Sequence, residues 1–171
     1  MLTGPPAAGK SAVGQLLSGR LNASLVDTDA EIEATAGKPV GDIFVDDGED
    51  AFRDLERAVA GRALSAGGAV VALGSGAVLD PDVQQLLAGQ PVAYLSAGFS
   101  AIARRLGLDR PRMVIPGNPR GRLRTMLEER RPLYERLATV TVDAGELAPE
   151  EVADEIEAWL ADGTSQRAQN P

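Results

Sequence analysis

The sequence predicts an α/β fold, a three-layer sandwich with helices on both faces of a mainly parallel, five-stranded sheet whose first strand is truncated. Three observations carry that expectation. Strand-like and helix-like segments alternate along the chain. The run Ala69-Val70-Val71-Ala72-Leu73 is apolar without interruption, as a strand covered on both faces must be. Near the N-terminus, Gly4-Pro5-Pro6-Ala7-Ala8-Gly9-Lys10-Ser11 follows G-x-x-x-x-G-K-[ST], the spacing of a phosphate-binding loop between a strand and a helix.

The chemistry of phosphate explains that spacing. A nucleotide's β-phosphate has to be wrapped by backbone N–H groups, and Gly4 and Gly9 let the backbone come close because neither carries a Cβ. The next helix, entered through Ala12, aims its positive end at the phosphates. Lys10 reaches the β- and γ-phosphates, and the Ser11 hydroxyl is a ligand for Mg²⁺. Apolar residues at 13, 16, 17 and 21 give that helix one buried side. Only Met1-Leu2-Thr3 precedes the loop, so the first strand is short.

Taken in order, Ser24-Leu25-Val26-Asp27 reads as a buried strand ending in a carboxylate, and Thr28-Asp29 opens a helix. Asp27 and Asp29 flank a strand end, where a doubly wound sheet carries its ligands, yet aspartate at a helix start also serves as a cap. Both readings stand. Residues 39–44 form a short helix that ends at Asp46-Asp47-Gly48, and a longer one resumes at Glu49 with Phe52, Leu55, Val59 and Leu64 at helical spacing. Arg53 and Glu56 lie three apart, close enough for the acid to orient the guanidinium or to form an exposed pair of small value. The strand at 69–73 runs into Gly74-Ser75-Gly76, a turn that exposes backbone at the same edge. A helix at 80–89, a strand at 91–96 and a helix at 100–106 follow. Residues 107–119 mix Gly107, Pro111, Pro116, Gly117 and Pro119 with arginines, the make-up of a cationic lid over phosphates. A helix from about residue 120 carries Arg130-Arg131-Pro132-Leu133-Tyr134, a last strand spans 139–143, and 149–160 is a capped amphipathic helix.

The 171 residues make one domain, expected over 1–161, with 162–171 a disordered polar tail. No apolar run spans a bilayer and no signal peptide is visible, so a cytoplasmic protein without membrane partners is expected. The absence of cysteine excludes disulfides and thiolate catalysis, and the absence of histidine removes the usual general base. A net charge of −8 argues against a nucleic-acid surface. Positive charge is nonetheless concentrated: fifteen of the seventeen cations are arginine, and ten of those fall between 104 and 136. That placement suits a small anionic ligand, although most of the ten are solvated helix faces.

These pieces, in order and over nearly the whole chain, resemble the shikimate kinase family of the nucleoside-monophosphate-kinase-like P-loop NTPase group. The matching marks are the phosphate-binding loop, Asp27-Thr28-Asp29, Gly48-Glu49-x-x-Phe52-Arg53, the turn at 74–76, Arg110-Pro111 and Arg130-x-Pro132-Leu133-Tyr134. The resemblance implies a monomer that moves the γ-phosphate of ATP to the 3-hydroxyl of shikimate, with Mg²⁺, in the pathway to chorismate and the aromatic amino acids. It implies that Asp29 binds the attacking hydroxyl, either orienting it alone or also accepting its proton, and that Asp27, through water, and Ser11 hold Mg²⁺. Arg53 and Arg130 would grip the shikimate carboxylate beside Gly74, Ser75 and Gly76, with Glu56 steadying Arg53. Arg110 would close with the lid on the transferring phosphoryl group, while Arg105 and Pro149 meet adenine. No histidine is needed for such chemistry.

Three departures from the family pattern carry expectations of their own. The central first strand is longer in the family than Met1-Leu2-Thr3. Ala7 replaces a loop glycine and is strained if its φ is positive. Ser75 replaces the middle glycine of the 74–76 turn, where it either crowds the carboxylate or adds a hydrogen bond. Other readings are a gluconate or nucleoside-monophosphate kinase of the same fold, or an inactive nucleotide-binding homologue.

Overall fold

A computed structural model describes residues 1–109 and 118–168, with side chains as far as 162. Five strands form one sheet: β1 (Leu2–Thr3), β2 (Ser24–Asp27), β3 (Ala69–Ala72), β4 (Ala93–Ser96) and β5 (Val140–Asp143). Their order is β2-β3-β1-β4-β5, and every pairing is parallel. Parallel neighbours need crossovers, and helices supply them. They are α1 (Lys10–Arg20), α2 (Thr28–Ala36), α3 (Val40–Asp46), α4 (Gly48–Ala66), α5 (Pro81–Leu87), α6 (Phe99–Arg105), α7 (Pro119–Leu137) and α8 (Pro149–Ala168).

Alternation along the strands divides the core in two. Leu2, Val70, Ala93, Leu95 and Val142 pack against Val13 and Leu17 of α1, Ile102 of α6, Leu127 of α7 and Ile156 of α8. Val71 and Leu73 turn the other way, onto Ala60 and Leu64 of α4 and Val83 and Leu87 of α5. Ile32, Ile43, Phe52 and Val59 form a separate cluster beneath α2, α3 and α4. The short β1 is nonetheless central, and Leu2 is fully buried.

Register places the site. Leu2 of β1 and Asp27 of β2 both lie opposite Ala72 of β3. The segments leaving these strand ends, residues 4–9, 28–29 and 73–76, therefore emerge side by side at one sheet edge.

Several boundaries differ from the sequence expectation. A 3-10 turn at Ala77–Leu79 follows residues 74–76, and α5 stops at Leu87 before the left-handed Gly89. Proline 132 lies inside α7, and the helix continues because Tyr134 beyond it is buried. The tail expected to be disordered from 162 is helical as far as Ala168, and residues 164–168 include no proline to interrupt the backbone ladder. Of the expected lid, residues 110–117, with Arg110 and Pro111, lie outside the described residues.

Candidate active site

The phosphate-binding loop owes its shape to three left-handed or otherwise unusual residues. Gly4 has φ 146°, and a Cβ there would lie 2.5 Å from the Leu95 carbonyl oxygen. Gly9, at φ 96°, turns the chain into α1. Ala7 has φ 57°, so the strain expected from replacing glycine is present, at about 1–2 kcal/mol. Ala7→Gly also gives the unfolded chain more freedom, which takes back about 0.4–1 kcal/mol. The net expectation is a gain of between zero and about 1.6 kcal/mol, read as a melting temperature higher by up to roughly 6 °C; a lower value would show that the loop relaxes around alanine.

Lys10 is the first residue of α1, and its ammonium donates to the carbonyls of Gly4 at 3.0 Å and Pro5 at 2.9 Å. Burial lowers its pKa from the ordinary 10.5 to about 8, against the opposing pull of Asp29 and Asp27. The folded protein therefore binds the Lys10 proton less tightly than the unfolded chain does. The resulting penalty on stability is complete below about pH 8 and is relieved between about 8 and 10.5. A polyanion at the loop favours the charged form and takes the proton back. ATP affinity is thus expected to be flat with respect to this group below about pH 8 and to fall above it, by up to about tenfold per pH unit. Calorimetric titration from pH 7 to 9.5 reads this directly, and an affinity that rises above pH 8 contradicts the assignment.

Asp27 performs the capping that its position allows: its Oδ1 accepts from the N–H groups of Asp29 at 3.2 Å and Ala30 at 3.4 Å. The same residue also lines a cavity of about 390 Å³ together with Gly9, Lys10, Ser11, Asp29 and Ser75. The two readings of this aspartate are compatible. Burial raises the pKa of Asp29, Lys10 opposes that shift, and Asp27 adds to it.

Across the cavity lies the 74–76 turn. A Cβ on Gly74 would sit 2.6 Å from Asp29 Oδ1 and 2.9 Å from Glu56 Oε1, and one on Gly76 would collide with Arg53 Nη1. A side chain at either place would displace the charged groups that now lie against the turn. Arg53 donates to Glu56 at 2.6 Å and to Glu49 at 3.1 Å, and its guanidinium stands 5.3 Å from the centre of the Phe52 ring. Glu56 is only 3% exposed, so this is not the surface pair that the spacing alone allowed. Burial pushes the Glu56 carboxyl up, Arg53 draws it back, and the charges of Asp29 and Arg130 also reach it. From α7, Arg130 Nη1 donates to the Ser75 carbonyl at 3.1 Å and meets the Ser75 hydroxyl at 3.4 Å. Ser75 thus adds a hydrogen bond to this cluster.

On the other side of the phosphate loop, a cavity of about 240 Å³ is lined by Ala7, Gly9, Arg105, Leu147 and Pro149. Arg105 binds the Ala7 carbonyl at 3.1 Å and those of Ala144 at 2.7 Å and Gly145 at 3.2 Å. It ties the phosphate loop to the loop before α8. Pro149, at the N-terminus of α8, lines the same cavity.

This arrangement joins a nucleotide loop, a buried carboxylate and two arginines at one sheet edge, and comparison with known proteins says what it is part of. The shikimate kinase family profile matches residues 6–161. The chain belongs to the shikimate kinase family. The shikimate kinase of Thermobifida fusca (strain YX) is 53% identical over 156 residues, covering 91% of each chain. A solved structure of shikimate kinase from Acinetobacter baumannii in complex with shikimate matches with a TM-score of 0.86 and 31% identity, over 95% of this chain and 92% of that one. A gluconokinase from Sinorhizobium meliloti 1021 matches at a TM-score of 0.63 and 21% identity, over 99% of this chain and 95% of that one, and shares the fold alone. The family is thus one of ATP-dependent small-molecule kinases.

Two contacts at the site had no counterpart in the sequence reading. Thr28 Oγ1 accepts the Gly74 N–H at 2.8 Å, and the Tyr134 hydroxyl donates to the Ser75 carbonyl at 2.7 Å. Both residues stand inside the quoted motifs, but only the folded chain brings them to the turn.

Proposed function

We propose that this chain transfers the γ-phosphoryl group of ATP to the 3-hydroxyl of shikimate. The observation that carries the proposal is the shared cavity: the phosphate loop with Lys10, the carboxylate of Asp29 and the turn bonded by Arg130 all border it. The loop N–H groups and Lys10 receive the phosphates. Asp29 accepts a hydrogen bond from the attacking hydroxyl, orients its oxygen towards phosphorus and takes up the proton as the new P–O bond forms. The bond from phosphorus to the bridging oxygen of ADP breaks in the same displacement. Arg130 and Arg53 hold the acceptor's carboxylate, for which planar guanidinium groups are suited. Arg110, placed by sequence alone, is assigned to the transferring group, and Arg105 and Pro149 to the adenine side.

Ser11 and Asp27 offer a hydroxyl and a carboxylate within one cavity, hard oxygen donors of the kind magnesium takes alongside water and phosphate. Bound there, the ion would neutralise phosphate charge; Ser11 and Asp27 would fix its place. Among the described residues no helix is long and apolar enough to cross a membrane. We take the enzyme to act as a cytoplasmic monomer on ATP and shikimate.

An ADP-release assay coupled to a reporter enzyme tests the reading, with shikimate run against gluconate, other hydroxy acids and nucleoside monophosphates. Release that depends on shikimate alone is the expected result. Faster release with any other acceptor, or binding of both substrates without turnover, overturns it.

A further inference from the structure

We propose that Thr28 and Tyr134 are positioning residues that clamp the 74–76 turn from two sides and so leave Arg130 free to bind the acceptor's carboxylate. The inference rests on the reading of Arg130 given above.

The turn matters because charged groups crowd its backbone. Asp29 and Glu56 lie against Gly74, and Arg53 against Gly76. A shift of a few tenths of an ångström would move all of them. Two backbone groups of the turn are held from outside it. The Gly74 N–H is accepted by Thr28 Oγ1, and Thr28 is fully buried between Asp27 and Asp29. That bond fixes the spacing between the paired aspartates and the turn.

The second group is the Ser75 carbonyl, which receives the Tyr134 hydroxyl at 2.7 Å and Arg130 Nη1 at 3.1 Å. A carbonyl oxygen has two acceptor positions, and these two donors fill them. Tyr134 follows Arg130 by one turn on the same face of α7. Its ring is 1% exposed and stacks on Tyr94 of β4, with centroids 5.2 Å apart and planes at 22°. The phenol is a strut between sheet and turn. Burial raises its pKa to about 12, so it remains a donor across the working range of the enzyme.

Without the phenol hydroxyl, the Ser75 carbonyl depends on Arg130 alone. The guanidinium is then held to that backbone acceptor by Nη1, which limits how far it can turn to the incoming carboxylate. Neither Thr28 nor Tyr134 lines the cavity of about 390 Å³; they act on it through Ser75, Asp27 and Asp29, which do, and through Arg130, which bonds Ser75.

Steady-state kinetics of Tyr134→Phe, Thr28→Val and Thr28→Ser, with Arg130→Ala as the reference, test the clamp. Tyr134→Phe and Thr28→Val are each expected to raise KM for shikimate by roughly three- to tenfold, the effect of one lost hydrogen bond. KM for ATP should stay within about twofold, kcat should fall less than KM rises, and Thr28→Ser should restore the shikimate KM. Melting temperatures establish that each variant is folded; if Thr28→Val is not, Tyr134→Phe against Thr28→Ser decides. The proposal is overturned if Arg130→Ala raises the shikimate KM while Tyr134→Phe leaves it unchanged, or if the two substrates lose affinity in parallel. Should Arg130→Ala itself leave the shikimate KM unchanged, the assignment of Arg130 fails first, and the clamp with it.

Discussion

Replacing Asp29 with asparagine is expected to lower turnover by about 10²–10⁴-fold, the usual weight of a positioned proton acceptor, while ATP still binds. The amide has nearly the same shape and can stay at the second position of α2, so the helix and its cap from Asp27 should persist. What disappears is the charge and the ability to take a proton. Asp29 is also one of the groups that hold the Lys10 pKa up, so the variant lowers that pKa below its present value of about 8. ATP binding is therefore best compared at pH 6 to 7, where the lysine retains more of its proton. Near-normal turnover at intact ATP affinity would remove Asp29 from the chemistry.

Arg130→Ala is expected to weaken shikimate binding by about 2–5 kcal/mol, roughly 30- to 5,000-fold, because a carboxylate loses its buried partner. ATP binding should change little. The guanidinium bonds the Ser75 carbonyl from the acceptor side of the cavity, and the phosphate loop is held by its own contacts and by Arg105. The Tyr134 hydroxyl still satisfies Ser75, so the turn should survive the loss. Isothermal titration with each ligand separately measures both effects. Equal losses for ATP and shikimate would mean that Arg130 supports the fold of the site and does not select its ligand.

The phosphate loop was legible in the sequence because its determinants are local: eight consecutive residues fix its turns and its helix entry. The sheet was legible for a similar reason, since 69–73 is apolar on both faces and each strand is followed by a helix. Burial of Glu56 was not legible. An acid three residues from an arginine looks the same on a wet helix and a dry one, and what dries this one is the turn at 74–76. Thr28 and Tyr134 were hidden by distance along the chain, since their partners lie 46 and 59 residues away. Asp27 was ambiguous for a different reason: capping a helix and lining the cavity need the same short carboxylate, and it does both. The helical reach of α8 to Ala168 was missed because polar composition resembles disorder when the preceding helix is not considered.

The lysine of the phosphate loop has one last consequence. Its ammonium is tethered to two carbonyls of its own loop. A long flexible side chain ordinarily surrenders about 2 kcal/mol of rotamer freedom when it is pinned. Here that ordering belongs to folding, so an arriving triphosphate exchanges one set of oxygens for another around a cation that is already stowed. Capture of the nucleotide then resembles a hand-over between acceptors, and its speed should follow diffusion and charge more than any rearrangement of the loop.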